Sequence, residues 1–222
     1  MKLLILGATG QIGQHVVDAA LEAQHSLVLY VRSPKKLPAD LKLNSNVSIV
    51  EGDLTNKEAL SEAVKGVHAV ISAIGPSFFG HPAGNPLTAA YTLLLELMKD
   101  HDVKRVILLG TASNKDENDK SSIIFDTTVL GAYLFGHSAY SDVVAFGKEI
   151  RAASPEVLWT LARVPVLTNT EAAYHAGYIG DGETKPYLSR KAWALFVVGE
   201  VTSNLWIKKA PMISSSSKPL HG

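Results

Sequence analysis

The sequence predicts one α/β domain built on a doubly wound parallel sheet. Short apolar runs of strand length alternate with stretches of helical spacing. Several runs are continuous Val/Ile/Leu tracts, as strands covered on both faces require. A glycine-rich turn, Gly7-Ala8-Thr9-Gly10-Gln11-Ile12-Gly13, joins the first run to the first helical stretch.

Strand-like runs fall at residues 2–6, 27–31, 47–50, 67–72, 103–109 and 157–162. Helical spacing occupies 12–23, 56–65, 86–100 and 141–153. Thr55, with Glu58 three residues on, predicts the N-cap of the second of these helices. Repeated strand–helix–strand units imply right-handed crossovers. Three segments break the rhythm, at 75–85, 111–140 and 165–187. Each follows the C-terminal end of a strand, where open α/β sheets bind ligands, so these loops are expected to wall and lid a pocket. No linker divides the chain: residues 1–213 read as the domain and the serine-rich 214–222 as a mobile tail.

Composition narrows the function. With 46% hydrophobic and 19% charged residues in a chain of 222, a sizeable core is available and disorder is excluded for most of it. Lys and Arg total 21 and so do Asp and Glu. No global field draws the chain to nucleic acid or to a membrane, and neither is expected as a partner. The absence of cysteine excludes disulfides and thiolate chemistry and fits a reducing compartment, with the cytoplasm as the expected location. The apolar start, ending at Gly7, is too short for a signal-peptide core. The eight histidines show no metal-binding spacing and no GxSxG elbow occurs, so no metal is expected.

The glycine turn supplies a phosphate cradle. Gly7 permits a tight turn, Gly10 lets the backbone approach a diphosphate, and Gly13 lets the helix sit close to the sheet. Its spacing is GxxGxxG, a variant of the common GxGxxG fingerprint. The second strand ends Tyr30-Val31-Arg32-Ser33-Pro34-Lys35-Lys36, without the acid that accepts from a ribose in NAD sites. Arg32 is suited to fork onto a 2′-phosphate, with Ser33 and Lys36 as further donors, so NADP(H) is the expected cofactor. Asp53, ending the third strand, can accept from the adenine amino group. Small residues at 72–76 leave room for the ribose and nicotinamide.

These segments (GATGQIG, VRSPKKL, GDLTN, VISAIG, VKRVILLGTAS and WTLARVPVLTN), in this order, resemble the atypical short-chain dehydrogenase/reductase superfamily in its NAD(P)H-binding, NmrA-like branch. The chain is more distantly similar to flavin/biliverdin reductase B. The resemblance implies a Rossmann-type fold, with Gly7, Thr9, Gly10, Gln11 and Ile12 on the pyrophosphate and Arg32 on the 2′-phosphate. It places Asp53 and Leu54 at adenine, and Ala73, Ile74 and Gly75 beside the ribose. Thr111, Ala112 and Ser113 fall near the nicotinamide, and Arg163, Val164 and Pro165 at the sixth-strand exit that lines its face. One departure stands out: the superfamily's Tyr-x-x-x-Lys pair is absent, because Tyr140 is followed four residues on by Val144. Lys148, two helical turns beyond Tyr140, is a candidate for the ribose hydroxyls. The literal match Tyr187–Lys191 lies after the sixth strand and is read as chance.

Protonating a carbonyl oxygen needs a donor, and the candidates are Tyr140, His137, Ser113 and Thr111. The irregular segments carry Phe78, Phe79, His81, Phe125, Tyr133, Phe135, Tyr174 and Tyr178, which points to a flat, apolar, aromatic small-molecule substrate. The expectation is an NADPH-dependent oxidoreductase reducing a small planar ketone, quinone or flavin-like acceptor. Two alternatives stand beside it: a non-catalytic NADP(H)-sensing regulator, and an isomerase or cyclase that keeps its cofactor bound.

Overall fold

The computed structural model describes residues 1–77 and 80–216. Its strands are β1 (Lys2–Leu6), β2 (Ser26–Val31), β3 (Val47–Glu51), β4 (Ala69–Ser72), β5 (Arg105–Thr111), β6 (Leu158–Val164), β7 (Val166–Thr168), β8 (Ala173–Gly177), β9 (Tyr187–Ser189) and β10 (Met212–Ser216). Its helices are α1 (Gln11–Glu22), α2 (Ala39–Leu43), α3 (Lys57–Val64), α4 (Pro86–Asp100), α5 (Ile123–Phe135), α6 (His137–Ala152) and α7 (Arg190–Ser203). One sheet runs β3-β2-β1-β4-β5-β6-β10-β8, and β7 pairs with β9 apart from it. Every neighbouring pair in that sheet is parallel except the last, in which β8 lies antiparallel to β10.

Alternation along β1 explains the two layers. Leu3 and Ile5 join a core with Val16 of α1 and Trp193 of α7. Leu4 and Leu6 point the other way, into a core with Leu60 of α3, Leu94 of α4 and Phe146 of α6. All four leucine and isoleucine side chains of β1 are fully buried, which is why the run is unbroken by polar residues. The strand order turns about β1 and β4, so a crevice opens outside their C-terminal ends.

Four sequence expectations need correction. The tail does not begin at Ser214: Ser214–Ser216 belong to β10, where Ser214 and Ser215 are buried and the Ser215 hydroxyl accepts from the Ser189 amide at 2.9 Å. That bond lets Ser215 fill an interior strand position; residues 217–222 lie outside the described residues. Segment 111–140 is largely helical, containing α5, and α6 starts at His137 rather than 141. Segment 165–187 carries β7, β8 and the first residue of β9. The N-cap of α3 is Asn56, whose side chain accepts from the Ala59 amide at 3.0 Å, while Thr55 turns back to Asp53. Among the described residues, no helix is long and apolar enough to cross a membrane.

Candidate dinucleotide and substrate site

The turn between β1 and α1 is shaped by what its glycines leave out. Gly7 takes a φ of +83°, and a Cβ there would press on Ile74 and the Ala73 carbonyl carbon. At Gly13 a Cβ would collide with the Gly7 carbonyl oxygen. Gly10 caps α1, its amide donating to the Gly7 carbonyl at 2.9 Å. No side chain caps this helix start and no acid sits in its first turn. The leading amides therefore face the crevice with their dipole uncompensated, a fit for a diphosphate.

From this turn a groove of about 590 Å³ runs along the strand ends. Gly7, Thr9, Arg32, Asp53, Leu54, Ile74 and Gly75 line it together. Ala73 lies beneath, packed on the core, and Ile12 is buried, so only its amide is on offer. Ser33 and Lys36 lie outside the lining, in the 3-10 turn Pro34–Lys36 and its cap. The Thr55 hydroxyl and amide hold the Asp53 carboxyl below its ordinary pKa, leaving an exposed carboxylate beside the Arg32 guanidinium.

Sequence reasoning missed Tyr30 and Gly52. The Tyr30 hydroxyl donates to the Asp53 carbonyl at 2.6 Å, and a Cβ on Gly52 would run into that hydroxyl. Burial, helped by Asp53, pushes the Tyr30 hydroxyl up to about 12, so it stays a donor and fixes the end of β3. His81, Pro86 and Leu87 also line the groove and were not assigned to it; a histidine in a loop gives no local sign of its depth.

A second cavity, of about 370 Å³, opens where β5 and β6 end. Thr111, Ala112, Ser113, Tyr140 and Val164 line it together, joined by Phe125, Val129 and Phe135 of α5. Among the described residues no charged side chain lines it, and its side-chain oxygens are those of Thr111, Ser113, Thr128 and Tyr140. Gly75 lines the groove and Pro76 this cavity, so one residue step separates them. Asn114 ties the cavity floor together, accepting from the Thr111 amide at 3.0 Å and donating to the Val143 carbonyl at 2.6 Å. No sequence pattern announced it, because its partner on α6 lies 29 positions away.

Other candidates fall elsewhere. His137 is exposed and lines neither space; its ring sits edge-on to Tyr133 at 5.2 Å. Its choice as a proton donor is corrected, since the first turn of α6 points it to solvent. Tyr140 faces the cavity instead, 5.4 Å from Tyr133. Lys148 is exposed on α6 and lines neither space. Tyr174 packs on Phe196, and Tyr178 on Trp206, away from the cavity. Phe78 and Phe79 lie outside the described residues. Arg163 is buried and grips Asp119 with two bonds of 2.6 and 2.7 Å, which leaves Val164 and Pro165 to face the cavity.

A glycine cradle at the switch point of a parallel sheet defines a dinucleotide-binding domain. A family model for NAD(P)H-binding proteins matches residues 7–204, and the chain belongs to that family. It is 44% identical over 80 residues to eugenol synthase 1 of Petunia hybrida, covering 33% of this chain and 26% of that protein. Over 84 residues it is 36% identical to the isoflavone reductase homolog A622 of Nicotiana glauca, covering 35% of this chain and 27% of that protein. The matched chain thus spans about a quarter of these relatives' length. Among solved structures, a short-chain dehydrogenase/reductase from Veillonella parvula, in complex with NADP, superposes with a TM-score of 0.79 at 17% identity, covering 99% of each chain. A Rossmann-fold NAD(P)-binding family protein from Shigella flexneri gives 0.69 at 22%, covering 100% of this chain and 98% of that one. Family, fold and relatives bear out the resemblance to the atypical short-chain dehydrogenase/reductase superfamily.

Proposed function

We propose that this protein is an NADPH-dependent reductase of a small, uncharged, planar acceptor carrying a carbonyl or quinone oxygen. The adjacency of the two spaces carries the reading: a phosphate groove bearing Arg32 meets an apolar cavity bearing a phenol, one residue step apart. Bound in this groove, NADPH would supply a hydride. The chain's own part is to orient, to exclude water and to deliver a proton. Arg32 prefers the 2′-phosphate because a guanidinium offers two parallel donors and no acid stands at the end of β2. Phe125, Val129 and Val164 form walls that favour an aromatic ligand over water. Tyr140 holds the proton, with Thr111 and Ser113 as further hydroxyls at the strand end. The curated relatives named as a reductase homolog and a synthase support this chemistry only as kin.

The absent Tyr-x-x-x-Lys pair supports a second reading, an NADP(H) sensor without turnover. The test is consumption of NADPH absorbance with a panel of quinones, aromatic ketones and flavins. The reductase reading expects turnover with at least one acceptor and a loss of about 10²-fold in kcat for Tyr140→Phe with a ketone. Tight NADPH binding with no turnover across the panel would favour the sensor.

A further inference from the structure

Asp142 of α6 is a carboxylate without solvent contact, its side chain 0% exposed, and four donors converge on it. Oδ2 accepts from His81 Nε2 and from the Leu87 amide, each at 2.8 Å. Oδ1 accepts from the Thr88 amide at 2.9 Å and the Thr88 hydroxyl at 2.7 Å. Two of these donors are the opening amides of α4, whose own cap residue Asn85 contributes no side-chain bond. Two residues earlier on the same helix, Tyr140 faces the substrate cavity.

An ionised carboxylate has nothing to donate, so His81 must give its Nε2 proton to Asp142. In the neutral ring that choice leaves Nδ1 as an acceptor. His81 lines the dinucleotide groove, its side chain is 6% exposed, and Nδ1 has no hydrogen-bond partner among the described residues. Capping α4 would already be complete with the amides and the Thr88 hydroxyl. The imidazole adds a tautomer-fixed acceptor on the groove wall.

We propose that His81 is a direct contact of the dinucleotide, its Nδ1 accepting from a ribose hydroxyl or amino donor, and that Asp142 is the positioning residue that aims it. The inference rests on the dinucleotide reading of the groove. Asp142 thereby links the groove wall to the helix that bears Tyr140.

The test titrates NADPH into wild type, His81→Gln and Asp142→Asn by calorimetry, with thermal unfolding of each protein alone. Gln keeps a donor for Asp142 but places no acceptor where Nδ1 stands. His81→Gln is expected to unfold at the wild-type temperature and to bind NADPH about five- to tenfold more weakly. Asp142→Asn, with one acceptor oxygen for four donors, is expected to lose both stability and affinity. Wild-type affinity in His81→Gln would make the histidine a latch only and overturn the proposal. Should that variant fold poorly, the ¹⁵N resonance of Nδ1 in the wild-type protein reads the same contact: NADPH shifts it if the proposal holds, and an unmoved signal overturns it. A wild-type protein that takes up no NADPH would instead overturn the dinucleotide reading itself.

Discussion

A Cβ at position 13 would occupy the same space as the Gly7 carbonyl oxygen, so a single hydrogen atom there sets how closely α1 approaches the phosphate turn. Gly13→Ala is expected to cost about 1–3 kcal/mol, as overpacking does, and to weaken dinucleotide binding because the amides tilt with the helix. Urea unfolding and an NADPH titration of the same variant measure both effects. Residues of this kind were legible because their chemistry is local: a glycine turn between a strand and a helix carries its own context, as does Arg32 at the end of β2. Asp142 was not legible. Its partners lie 54 to 61 positions away, and an aspartate inside a helical stretch reads as an ordinary surface acid. His137 misled for the converse reason, since a suitable proton affinity says nothing about the side of the helix on which a residue stands.

At the level of elements, α5 escaped the sequence reading because apolar side chains encircle it, leaving no one-sided pattern to mark a helix. Phe125 is its one buried residue, and Phe135 is 75% exposed although it lines the cavity. Helix α4, by contrast, buries Leu87, Ala90, Tyr91, Leu94, Leu97 and Met98. Amides of α5 are therefore expected to exchange with deuterium at least about tenfold faster than those of α4, and to slow when a ligand fills the cavity. Hydrogen exchange followed by mass spectrometry, with and without a bound acceptor, measures this. Equal protection of the two helices would show that α5 is held by more than its buried side chain. The strand–helix alternation needed no such help: the continuous tracts of β1, β2, β5 and β6 announce strands covered on both faces.

Across the whole molecule, carboxylates that each collect several hydrogen bonds tie the segments that propensity alone leaves loose. Burial pushes the Asp142 carboxyl up, but bonds from Thr88, His81 and the Leu87 amide outweigh it and hold its pKa below the ordinary value. Asp119 behaves alike: burial raises it, and the Arg163 guanidinium brings it below the ordinary range. Asp181 is also held low, burial being outweighed by His175, Thr184 and Glu183. A carboxyl whose folded pKa lies below its unfolded value gives stability that is complete above about pH 4 and is lost as pH falls through the folded value. Tm is therefore expected to fall steeply below about pH 4. Replacing Asp119 by Asn should lower Tm at neutral pH and flatten that acid limb; an unchanged limb would place the acid sensitivity elsewhere. Such ties join distant residues, which is why the alternation of strands and helices was legible while the fastening of loops between 111 and 187 was not.

The central claim is that the opening amides of α1 hold a diphosphate while Arg32 holds the adenosine 2′-phosphate. Calorimetric titration of NADPH and NADH into wild type and Arg32→Ala tests it most directly. The expected result is tighter binding of NADPH by wild type, with the variant losing about 10- to 100-fold for NADPH and little for NADH. Equal losses for both nucleotides would remove the phosphate assignment, and no heat with either on folded protein would contradict the account.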